Sequence, residues 1–202
     1  SLQDLEGKKV GVPGLYGASY VGWQAMVYAA KLDASKITLQ SVGFTQATSV
    51  SEGLVDAALD YAVNGPVQLR LAGQEIVEFP VSDYIDLPSN GIITNDTVIQ
   101  QQPELAQAMT VAFMSGLRDT LQDPDAAFAA SLRAVPTAGG DQAAVSRAIF
   151  DASLALWQAD EAELGVSDPT AWAKAATFMQ EMGLIQTPVD ASDLFTNRFV
   201  ER

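Results

Sequence analysis

Short apolar runs bounded by glycine and proline alternate, through the first eighty residues, with segments whose apolar positions recur at helical spacing. Val10 to Pro13 predicts a buried strand. Ala18 to Leu32, with Val21, Met26, Val27 and Ala30 near one face, predicts a helix, and Ile37 to Phe44, alternating through Ile37, Leu39 and Val42, predicts a second strand. The pattern then repeats: a short helix from Gln46 to Gly53, a small-residue strand from Asp56 to Ala62, a helix from Pro66 to Ala72 opened by proline and closed by Gly73, and a fourth strand from Ile76 to Val81. Successive strands separated by helices pair in parallel, so residues 1–81 are expected to form an α/β lobe: a four-stranded parallel sheet with helices on both faces.

Residues 82–96 break this rhythm with Pro88, Ser89, Asn90 and Gly91 around short apolar runs, and read as an extended crossover. Residues 97–202 are helical in pattern. Pro103 to Leu121 carries Leu105, Met109, Ala112, Phe113, Gly116 and Leu117 on one stripe. Asp123-Pro124 and Asp168-Pro169 are helix starts with proline at the first position, a helix runs to about Trp157, Gly183 is a stop, and an irregular tail spans Val189 to Arg202. Trp23, Trp157 and Trp172 sit on apolar helix faces and read as core.

The segment Lys8 to Tyr20 combines a strand, a glycine turn (Gly11, Gly14, Gly17) and a helix start in which Ser19 is the expected cap. It fits a binding turn or an ordinary strand-to-helix connection equally, and matches neither a phosphate-cradling Gly-Lys-Ser/Thr loop nor a dinucleotide fingerprint. The wider pattern tips the balance. At the carboxyl ends of the expected strands, where open α/β sheets bind ligands, lie Tyr16 with Ser19 and Tyr20, Phe44 with Thr45 and Gln46, Asp60 with Tyr61 and Asn64, and Ser82-Asp83 with Tyr84. Each group joins an aromatic ring to hydroxyl, amide or carboxylate. Rings stack on the faces of a planar heterocycle while polar groups satisfy its edge.

Composition narrows the chemistry. The 202 residues, 48% hydrophobic, suffice for an ordinary core. A formal net charge of −14, from 11 Lys+Arg against 25 Asp+Glu, argues against nucleic acid and anionic lipid as partners. With no cysteine and no histidine, thiolate chemistry, disulfides and the commonest general base and metal ligand are absent. Asp56, Asp60 and Asp83 can be imagined as an acid/base pair, but nothing in the sequence places them together and 25 acidic residues make such coincidences cheap. No cofactor or metal is expected. No stretch approaches a membrane span, and the start at Ser1 to Gly7 reads as that of a mature or trimmed chain.

The run Asp4-Leu5-Glu6-Gly7-Lys8-Lys9-Val10-Gly11-Val12-Pro13 and the run Glu52-Gly53-Leu54-Val55-Asp56-Ala57-Ala58 resemble the solute-binding proteins of ABC importers, in the group that carries nitrate, sulfonates, thiamine-type pyrimidines and related vitamins. Gln101-Gln102-Pro103-Glu104 and Asp123-Pro124-Asp125-Ala126-Ala127 resemble that group's helix starts after the crossover. The resemblance implies a periplasmic-binding-protein type II-like fold whose two lobes close on a small molecule. It implies that Tyr16, Ser19, Tyr20, Phe44, Thr45, Gln46, Asp60, Tyr61 and Asn64 contact that molecule, and that residues 1–81 are the second lobe. Members of the group are longer, so the helices after Asp96 are expected to repack or to find the missing half elsewhere, exposing a stripe that favours a homodimer or swapped assembly.

The function expected is therefore capture of a small heteroaromatic molecule, a riboflavin or thiamine-type pyrimidine, for delivery to an ABC permease outside the cytoplasm, without catalysis. A periplasmic or lipoprotein-anchored full-length form fits this role. A sulfonate- or nitrate-type binding protein, an enzyme relative that makes the thiamine pyrimidine and a scaffolding module are the rivals. The absence of Lys and Arg from the strand-end turns weighs against the first; the resemblance implies that the second needs histidine, and the chain has none.

Overall fold

The computed structural model describes residues 1–158, 160 and 163–200; Glu201 and Arg202, the end of the expected tail, lie outside them. The chain divides into two compact units, one of residues 1–87 and 173–188, the other of residues 88–172 and 189–202.

In the first unit, β1 (Lys9–Val12), α1 (Gly17–Ala30), β2 (Thr38–Ser41), α2 (Gln46–Ser51), β3 (Ala57–Ala58) and α3 (Gly65–Leu71) follow in order. The three strands form a parallel sheet ordered β2-β1-β3. Val10 pairs with Leu39 on one side and Ala57 on the other. Central position explains the composition of β1: Val10 and Val12 point to one face and Gly11 to the other, and all three are buried, as a parallel strand covered on both faces requires. The two valines pack with Trp23, Met26 and Val27 of α1 and with Leu2, Leu32 and Ile37.

The expected fourth strand does not form. Residues 76–80 run without regular structure into a 3₁₀ turn, Val81–Asp83. Pro80 carries no N–H for a partner, and β3, at one edge of the sheet, is only two residues long. Phe79 and Val81 still pack against the core while Val77 is 80% exposed, so the segment is held in part by burial and not by pairing.

Residues 173–188, grouped with the helical remainder by sequence, join the α/β unit instead. Phe178 is 1% exposed, and its ring lies 5.5 Å from Tyr28 of α1. The Tyr28 hydroxyl donates to Glu181 at 2.5 Å, which holds the phenol above its usual range.

The second unit is helical. It contains α4 (Asp96–Gln101), α5 (Pro103–Gln122), α6 (Pro124–Ala134), α7 (Ala143–Trp157) and the start of α8 (Pro169–Glu181). The caps read from sequence are present: Asp123 accepts from Ala126 N at 3.0 Å, and Asp168 from Thr170 N at 2.9 Å. Arg147 lies over the rings of Phe128 and Phe150, 5.4 and 5.9 Å from their centroids, while pairing with Asp125 and Asp151. Trp172 stacks on Phe195, but Trp157, expected in the core, is 41% exposed. Asn197 exchanges two hydrogen bonds with the Ser167 backbone, fixing the tail. On α5, Leu105, Met109 and Phe113 are each more than half exposed, and Met114, on another face, is the buried residue.

Candidate functional site

Parallel pairing brings the turns that leave β1, β2 and β3 to one edge of the sheet: residues 13–17, 42–46 and 59–65. The chain steps from the central β1 outward to β2 and then crosses back to β3. The reversal makes the edge between the first and third turns a topological switch point, where open α/β sheets leave a crevice.

In the first turn, Tyr16 is extended and precedes α1, so Ser19 is the third helical residue rather than the expected cap. Tyr16 is 77% exposed, and its ring folds back over Gly14: a Cβ built there would stand 2.7 Å from the ring edge. A larger residue at 14 would push the exposed Tyr16 ring out of this position. Ser19 and Tyr20 are half-buried in the first turn of α1.

The second turn presents one side chain strongly. Phe44 is 91% exposed. Thr45 Oγ1 donates to the Val42 carbonyl at 2.6 Å and lies 3.2 Å from Ser49 Oγ, while Gln46 is buried at 6% exposure. These two polar residues are engaged inside the unit and offer little to a ligand.

The third turn is wrapped around a carboxylate. Asp60 Oδ1 accepts from Tyr61 N at 2.7 Å and from Asn64 Nδ2 at 3.4 Å, and Asn64 Oδ1 accepts from Gln68 Nε2 at 2.8 Å. Burial raises the Asp60 carboxyl above its usual 3.8, against the lowering effect of the Tyr61, Asn64 and Gly65 hydrogen bonds. Tyr61 is 44% exposed at the edge.

Tyr84 does not belong with the other three groups on the ground first given for it. It closes the 3₁₀ turn Val81–Asp83, not a strand end. The acid/base pairing of Asp56 and Asp60 is excluded by position: they flank β3 at opposite ends, four residues or about 13 Å apart along an extended chain. Asp56 instead accepts from Lys9 N at 2.8 Å, which, with Lys8 nearby, holds its carboxyl below the usual range.

Sequence reasoning passed over Gln68, whose place one helical turn after Asn64 was the available signal. Two open concavities lie elsewhere, one lined by Asp119, Asp123 and Ala127, another by Arg70, Gln74 and Val77. Chemistry at the strand ends outweighs them because neither dish has an aromatic ring to stack a planar ligand, whereas the strand-end turns bring Tyr16, Phe44 and Tyr61 to one edge. Among the described residues, no group of three or more Asp or Glu is gathered as a metal site, and no helix is long and apolar enough to cross a membrane.

Comparison with known proteins gives this edge a context. The chain is 38% identical over 203 aligned residues to the riboflavin-binding protein RibY of Chloroflexus aurantiacus, covering 99% of this chain and 58% of that protein. It is 25% identical over 208 residues to the formylaminopyrimidine-binding protein of Halalkalibacterium halodurans, covering 98% of this chain and 61% of that one. The chain thus spans about three fifths of the length of these relatives. Residues 1–127 match the family described as NMT1/THI5 like, and the chain belongs to that family.

Proposed function

We propose that the chain is the substrate-binding component, or part of one, of an ABC importer with a periplasmic-binding-protein type fold, that it works outside the cytoplasm without catalysis, and that it captures an uncharged heteroaromatic molecule of the riboflavin or pyrimidine kind. The observation that carries this reading is the character of the carboxyl edge. Tyr16, Phe44 and Tyr61 are exposed on three neighbouring turns that contain no Lys or Arg.

Charge is segregated along the sheet. The basic residues between 1 and 87 are Lys8, Lys9, Lys31, Lys36 and Arg70. Lys8 and Lys9 enter β1, Lys36 precedes β2, and Lys31 and Arg70 close helices that run back from the carboxyl edge. All five therefore lie toward the amino edge, leaving Asp60 as the charge on the three ligand-side turns. An oxyanion draws its affinity from cations and charge-assisted hydrogen bonds, so this edge disfavours a sulfonate or nitrate. The two relatives' names, one for a flavin and one for a pyrimidine, support the same ligand class.

Fluorescence titration tests the reading: the chain is expected to bind riboflavin or formylaminopyrimidine and to leave a small alkanesulfonate unbound. Preference for the sulfonate contradicts it. Delivery to a permease is the partner this role requires. Self-association rests on a separate feature, the exposed Leu105, Met109 and Phe113 of α5. Light scattering is expected to find a dimer that serine substitutions at these three positions dissociate, and a monodisperse monomer would refute it.

A further inference from the structure

We propose that Asp60, Asn64 and Gln68 form a positioning chain that sets the direction of Tyr61, and that Asn64 acts on the ligand through that chain rather than by touching it. The inference rests on the proposed ligand site at the carboxyl edge and specifies how the third turn is held there. Both polar atoms of the Asn64 amide have partners inside the turn: Oδ1 takes the Gln68 Nε2 proton at 2.8 Å, and Nδ2 gives one to Asp60 Oδ1 at 3.4 Å. The same Asp60 oxygen takes the backbone proton of Tyr61 at 2.7 Å. A continuous path therefore links a side chain on the second turn of α3 to the backbone of the aromatic residue at the edge.

Three features show that the path is built. The Tyr61 carbonyl accepts from Asn64 N at 2.9 Å, closing the turn. Gly65 is buried, and a Cβ there would collide with Asp60 Oδ2 and stand 3.0 Å from its Cγ, so the turn tolerates only glycine where the carboxylate folds in. Asn64, finally, has its amide orientation fixed by an acceptor-only partner: the Asp60 carboxylate can meet Nδ2 and not Oδ1, which turns the oxygen toward Gln68 Nε2. Removing Gln68 takes away the 2.8 Å bond and leaves Asn64 held through the 3.4 Å bond to Asp60, which loosens a donor of the carboxylate that orients Tyr61.

The test uses Gln68→Met, which keeps length and apolar stem and removes the donor, alongside Asn64→Ala, the double variant and Tyr61→Ala, with riboflavin as probe. Gln68→Met is expected to weaken riboflavin about three- to tenfold, the size of one lost hydrogen bond, with an unchanged unfolding midpoint. The double variant is expected to bind no more weakly than Asn64→Ala alone, because the two residues act in series. The Tyr61 amide is expected to exchange with solvent several-fold faster in Gln68→Met, while the Val10 and Val12 amides of β1 keep their protection.

Wild-type affinity in Gln68→Met beside a weakened Tyr61→Ala overturns the positioning chain and leaves the site standing, as do strictly additive losses in the double variant. Unchanged affinity in both variants, or no riboflavin binding by the parent chain, overturns the ligand site. The exchange measurement then judges the chain by itself: an unchanged Tyr61 amide rate in Gln68→Met refutes it with or without ligand.

Discussion

Replacing Phe178 with alanine is expected to destabilise the first unit by about 3–5 kcal/mol, the cost of emptying a phenylalanine-sized space in a packed core. Phe178 is 1% exposed and stands against Tyr28 with rings 5.5 Å apart and tilted by 53°, so the deletion removes a large apolar surface together with an aromatic contact. The residue lies 150 positions after Tyr28 in the chain, and its loss unlatches residues 173–188 from α1. Urea denaturation followed by circular dichroism measures it. Lys174→Ala, at an exposed position of the same helix, serves as the control and should be close to neutral. A loss below about 1 kcal/mol for Phe178→Ala would contradict this packing.

The second large effect falls on binding. Tyr16→Ala and Tyr61→Ala are each expected to weaken riboflavin by about 1–3 kcal/mol, or about 5- to 150-fold, by removing a stacking face and the area it covers. Neither is expected to alter stability much, since both rings stand at the exposed edge, outside the buried cluster. The mechanisms differ in detail. Tyr16 stands with its ring beside Gly14, whereas Tyr61 is aimed by the Asp60 turn, so Tyr61→Phe should retain stacking in full. Calorimetric titration separates the outcomes, and unchanged affinity in both alanine variants would place the ligand away from these turns.

The strands and helices of the first unit were legible because their signals are local. A buried triplet such as Val10-Gly11-Val12 admits few readings, and proline or glycine marks the ends of α3 directly. What failed depended on distant partners. An apolar face on α8 identifies a surface to be buried without naming what buries it, and Phe178 finds α1 across the sequence. Residues 76–81 carry the composition of a strand, but hydrogen-bond pairing required a longer β3 than the two residues available.

At the candidate edge, the placement of aromatic residues was legible and the orientation of polar ones was not. Aromatic residues placed by strand ends appear where expected in three turns of four. Polar side chains at the same ends were read as ligand contacts, yet Thr45, Gln46 and Asn64 spend their hydrogen bonds or their exposure inside the unit. A short polar residue beside a turn serves the backbone first, because an unsatisfied N–H or C=O there costs more than a ligand contact returns.

The central claim, that the carboxyl edge of the sheet is where a small heteroaromatic molecule binds, is tested most directly by mapping amide resonances during a riboflavin titration. Saturable shifts are predicted at residues 13–20, 42–46 and 59–65, with Lys8, Lys9, Lys36 and Asp56 at the opposite edge unmoved. Shifts concentrated at that opposite edge or in the second unit, or none at concentrations that saturate the protein, would contradict it.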